Sequence, residues 1–151
     1  MQSSHKLIKK YASSTLLSCL AASLLLLSPA IAQDSNDALI TNSDDGAYNE
    51  VTLVNEGNDN LAFLQQAGEL NSLNLLIEAN NVSVDILQQG SANLIAGING
   101  SPDFILAGHN SSLNIFQNGI GNQVFGMQLS ANSNISVTQL GSGNSATIIQ
   151  R

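Results

Sequence analysis

Ser133-Asn134-Ile135-Ser136-Val137-Thr138-Gln139-Leu140-Gly141-Ser142-Gly143-Asn144-Ser145-Ala146-Thr147-Ile148-Ile149-Gln150 reads as one strand, one tight turn and a second strand. Ser111 to Gln128, 22 residues earlier, sets the same residue types in the same places. The shared template is Ser-x5-Gln-x-Gly-x-x-Asn-x-Ala/Val-x3-Gln. A fixed period of this length marks a stacked repeat architecture. Laid along the chain, the template gives units at 38–55, 60–77, 82–99, 111–128 and 133–150. Its Gly slot holds Gly46, Gly68, Gly90, Gly119 and Gly141, and its Asn slot holds Asn49, Asn71, Asn93, Asn122 and Asn144. The first Gln slot reads Asp44, Gln66, Gln88, Gln117 and Gln139, and the last reads Asn55, Ile77, Asn99, Gln128 and Gln150. Unit starts are 22 apart except from 82 to 111, where seven extra residues sit near 98–104. That insertion contains Asn99-Gly100 and Pro102, the composition of a surface loop.

The slots have physical reasons. Gly two residues after the strand-ending Gln supplies positive φ without steric cost. Asn three residues later tolerates left-handed geometry, and its side chain bonds local backbone. Along the strands the pattern alternates with period two, so Ser133, Ile135, Val137 and Gln139 face inward while Asn134, Ser136 and Thr138 face out. Unit 1 by the same rule places Asn42 and Asp44 inward, where an ionised carboxylate is disfavoured. One unit cannot bury such a face, but units stacked ~4.8 Å apart can. The expected fold is all-β, a β-solenoid of two facing parallel sheets that becomes cross-β on assembly. Stacking would place Gln66, Gln88, Gln117 and Gln139 in one amide ladder and Gln128 and Gln150 in another, each amide bonded along the axis. Asn and Gln supply 29 of the residues from 33 onward, which alone suits a disordered polar chain. Disorder, however, needs no invariant slots.

The start of the chain has the pattern of a secretory leader over 1–32. Lys6, Lys9 and Lys10 form a basic region, Leu16 to Leu27 an apolar one, and Ala30-Ile31-Ala32 a cleavage site. The apolar run is short of the ~20 residues of a membrane span, so no stable membrane insertion is expected. Cys19 follows Leu-Leu-Ser as a lipidated cysteine would, yet apolar sequence continues past it to the Ala32 site. Cleavage would remove every lysine and the one cysteine, leaving Arg151 against eleven carboxylates, a formal −10. Such a chain has no basic patch for nucleic acid and no disulfide to stabilise it. A short acidic segment, 33–37, precedes unit 1, and no residue after Asp103 is acidic.

The residues also argue against an enzyme. After the leader neither lysine nor cysteine remains and His109 is the single histidine, so a nucleophile–base pair or a histidine metal cluster cannot be assembled. His109 reads as a solvated linker residue. Asp44 and Asp45 read as solvating charges, and the turns carry Gly-x-x-Asn where calcium-binding repeats need Asp. No cofactor and no metal are expected.

The motif carried by Ser111 to Gln128 and Ser133 to Gln150 resembles the curlin repeat of bacterial curli subunits. The resemblance spans 38–151 and is fullest in the last two units. It departs from the family at the Ser slot, which holds Ala38, Asn60 and Val82 in units 1 to 3, and at the insertion. Only five residues lie between the leader and unit 1, where family members keep a longer export segment, so unit 1 is a candidate for that role. The resemblance implies a secreted structural subunit of a functional amyloid fibre (fimbrium) on the surface of a Gram-negative bacterium, serving adhesion and biofilm matrix. Its implied partners are copies of itself, a second curlin subunit, an outer-membrane secretion channel and periplasmic chaperones. Irregular early units and the Gln150-Arg151 ending resemble the minor, nucleating subunit, whereas the scarcity of Lys and Arg fits the major one. The alternative from another class is a monomeric secreted β-solenoid adhesin or binding module. Soluble solenoids cap their terminal coils, and the last repeat here reaches to within one residue of Arg151.

Overall fold

The structure is a computed structural model that describes residues 37–43 and 48–151, with the backbone alone at 42 and 43. The leader at 1–32 and the residues to 36, as well as Asp44, Asp45 and Gly46, lie outside the described residues. Eleven strands follow one another: β1 Asp37–Ser43, β2 Glu50–Glu56, β3 Leu61–Glu69, β4 Ser72–Glu78, β5 Ser83–Ser91, β6 Leu94–Ala96, β7 Phe104–Leu106, β8 Ser112–Ile120, β9 Gln123–Gln128, β10 Asn134–Ser142 and β11 Ser145–Gln150. The first strands of the units form one sheet in the order β1-β3-β5-β8-β10. The second strands form the other, β2-β4-β6-β9-β11, with β7 also between β4 and β9. Neighbours are parallel throughout, so the chain is an all-β solenoid of five coils.

The alternation read from sequence decides which side chains enter. Ala62, Leu64, Val84, Ile86, Leu113 and Ile115 of the first sheet meet Leu73, Leu75, Ile77, Ile95, Leu106 and Val124 of the second in one buried cluster. Each large aliphatic removed from water there contributes roughly 1.5–3 kcal/mol. Phe104, fully buried on coil 3, fits this layer because its neighbour on coil 4 is Gly126. A Cβ at 126 would stand 2.6 Å from Phe104 Cε2.

The structure corrects two boundaries. Asp44 was expected opposite Gln66, but β1 pairs with β3 at Asn42↔Gln66, two residues away, while β2 pairs with β4 at the expected Glu50↔Ser72. A two-residue shift preserves the alternation, because the side-chain period is two, and it sets Asn42 instead of Asp44 at the register position opposite Gln66. Unit 3 does not run 82–99 with the insertion after it. Its second strand is split into β6 and β7 by residues 97–103, and Leu106, not Asn99, lies opposite Ile77 and Gln128. Phe104 and Leu106 continue the inward alternation, whereas Asn99 and Gly100 take positive φ of 55° and 84° in a turn.

Candidate functional site

Two side-chain ladders run along the solenoid just inside the first turn, the glutamine one through coils 2 to 5 and the asparagine one through coils 1 to 5. In the glutamine ladder each amide donates forward: Gln66 Nε2 to Gln88 Oε1 at 2.7 Å, Gln88 Nε2 to Gln117 Oε1 at 2.9 Å, and Gln117 Nε2 to Gln139 Oε1 at 2.8 Å. The other N–H of each amide crosses to the start of the opposite sheet, donating to the carbonyls of Glu50, Ser72, Leu94 and Gln123 at 3.0–3.3 Å. Gln66, Gln88 and Gln117 are at most 1% exposed and Gln139 6%. Burial of an amide is tolerable because these bonds are made.

The asparagine ladder runs the other way. Asn71, Asn93, Asn122 and Asn144 each donate both the backbone N–H and an Nδ2–H to Oδ1 of the asparagine one coil earlier, at 2.9–3.1 Å. Asn49, Asn71, Asn93 and Asn122 also donate forward, to the carbonyls of Gly68, Gly90, Gly119 and Gly141 at 2.9–3.1 Å. These glycines hold φ of 95–139°. A Cβ at Gly68, Gly90 or Gly119 would strike the glycine carbonyl of the next coil. The slot is therefore fixed by conformation and by close approach at once. The expected left-handed residue, however, is not the asparagine. Positive φ falls one place earlier, at Tyr48, Leu70, Ala92, Gly121 and Gly143, which leaves the asparagine free to point inward.

The second expected ladder does not form. Gln128 and Gln150 are in register, but no bond joins their amides, and the slot holds Asn55, Ile77 and Leu106 in the coils before them. Gln128 is fully buried, and neither its Nε2 nor its Oε1 has a partner among the described residues. A different column, on the outer corner, was not anticipated: Asn81 Nδ2 donates to Asn110 Oδ1 at 2.7 Å and Asn110 Nδ2 to Asn132 Oδ1 at 3.4 Å. All three have φ between 52° and 55°. Their spacing repeats that of the unit starts, a signal the template, which ended at the last Gln, did not cover. His109 is exposed in this corner as expected, with its Nδ1 accepting from the Asn80 N–H at 3.1 Å.

Both ladders arrive at the β10–β11 edge with capacity in hand. Gln139 has one N–H left over, because its bond to the Gln123 carbonyl is the one it donates among the described residues. Asn144 donates to Asn122 and to the Leu140 carbonyl, while its own Oδ1 accepts nothing among the described residues. Gly141 keeps a φ of 95° over open space where the next coil would lie. A further coil would have to accept at the Gln slot and donate at the Asn slot, and the residues of coil 1 at those register positions are Asn42 and Asn49. Comparison of the chain with protein-family models, with curated proteins and with solved structures finds no match.

Proposed function

We propose that this chain is the subunit of a secreted, self-stacking amyloid fibre of the curlin kind, serving cell-surface adhesion and biofilm matrix. The observation that carries this reading is the β10–β11 edge: two sheet edges, a glutamine donor and an asparagine acceptor, all presented at the spacing that coil 1 of a second copy repeats. Unpaired strand edges of this length template further strands unless something covers them. Of the two subunit types, the irregular early units and the Gln150-Arg151 ending favour the minor, nucleating one. The reading rests on this chain's own ladders together with the sequence resemblance.

Purified protein is expected to convert after a lag into thioflavin-positive fibres with reflections near ~4.7–4.8 Å and ~10 Å. Protein that stays monomeric for days at high concentration would instead support a soluble solenoid that binds as a single module.

A further inference from the structure

The outer face of the second sheet carries one unbroken apolar column. Val54, Leu76, Ile105, Met127 and Ile149 stand in register, one from each coil. Ile149 is 53% exposed and the others are half-buried against their neighbours above and below. The first sheet has no counterpart, since its outward rows mix apolar with polar residues, as in Leu39, Phe63, Asp85, Asn114 and Ser136. A flat apolar column is complementary to itself, and two such faces pack about 10 Å apart. One copy offers a column only about 24 Å long at ~4.8 Å per coil, less than a standard interface of ~800 Å² per partner needs. In a stack of copies the same contact recurs in every copy.

The seven-residue insertion stands on this face. Both edges of β6 and β7 are occupied by β4 and β9, and the inner side is filled by buried Ile95 and Phe104. Residues 97–103 can therefore leave only outward, and Asn99, Gly100 and Pro102 are exposed. The loop is held at its base and within itself: Gly97 N–H donates to the Pro102 carbonyl at 3.2 Å, Ser101 N–H to the Ile98 carbonyl at 3.0 Å, and Ser101 Oγ to the Asp103 carbonyl at 3.1 Å. Seven residues closed this way reach up to about 10 Å, the full gap between two packed sheets. They emerge two residues from Ile105, at the middle of the column. We infer that the insertion is a spacer that prevents the apolar column of one stack from packing against the same column of a second copy in another stack. The inference rests on the stacking reading above.

Removal of the loop is a clean test, because Ala96 and Phe104 occupy consecutive ladder positions, opposite Phe125 and next to the pairing Leu75↔Phe104. Mass per length of fibres, measured by scanning transmission microscopy, is expected to be one chain per about 24 Å in the unaltered protein and two in the variant lacking 97–103. Ile105→Lys added to that deletion should return the value to one. Equal mass per length with and without the loop overturns the spacer. If the deletion loses its β circular dichroism, a variant lacking only 98–102, with Gly97 and Asp103 kept as a bulge, replaces it in the comparison. If the unaltered protein forms no fibres, the stacking reading fails and the spacer, which rests on it, falls with it.

Discussion

A buried amide in this solenoid stabilises or destabilises according to its neighbours alone. Gln88 donates to Gln117 and to the Ser72 carbonyl and accepts from Gln66, so Gln88→Leu leaves three groups short. The expected cost is on the order of 1–3 kcal/mol, read as a lower denaturant midpoint. Gln128 has the same side chain with no bond at either end, beside the apolar Leu106. Gln128→Leu is therefore expected to raise the midpoint, by about 1 kcal/mol. A loss at both sites would mean that Gln128 does find partners. Thr138 points outward, and Thr138→Ala should stay within about ±0.5 kcal/mol. The alternation made Gln66, Gln88, Gln117 and Gln139 legible in sequence as one bonded row. It could not show that Gln128 would be stranded, because that depends on which residue fills the slot in coil 3, and the answer lies across an insertion.

At the scale of strands, periodicity carried further than boundaries did. The two sheets, their parallel pairing and the inward rows follow from a period of two inside a period of 22. What the template missed are two changes that leave the inward face intact. Unit 1 slips by two residues, which preserves the alternation, and unit 3 extrudes seven while Phe104 and Leu106 stay buried. A slot count cannot see either, since it scores spacing and not what a side chain would cost when buried. The Phe104–Gly126 pair shows the same compensation between coils. Gly126→Ala would press a methyl against Phe104 Cε2 and against the Ile148 carbonyl 2.8 Å away, and Phe104 is fully buried with nowhere to retreat. The expected destabilisation is about 1–3 kcal/mol. Phe104→Leu in the same chain should recover part of it, and strictly additive losses in the double-mutant cycle would argue against direct contact.

For the molecule as a whole, charge opposes association while the ladders favour it. The full chain has a formal net charge of −7, and Glu56 and Glu78 stand directly in register on neighbouring coils. Copies approaching end to end therefore repel, over a Debye length of ~30 Å at 10 mM salt and ~8 Å at 150 mM. Fibre lag times should shorten across that range, and Glu78→Gln should shorten the lag most at the low end. A lag that lengthens with salt would mean that a specific attraction, such as Arg151 to an acid of the next copy, governs encounter.

The opposed sense of the two ladders has a consequence for length. An α-helix adds its peptide dipoles head to tail, so its ends grow more charged as it extends. Here the glutamine carbonyls point toward coil 1 and the asparagine carbonyls toward coil 5, while the sheets themselves have only small net dipoles. The axial moments of the two ladders oppose one another in coils 2 to 5. The ladders of an array of such coils therefore build up no growing axial dipole, and their contribution to the hundredth addition matches that to the second.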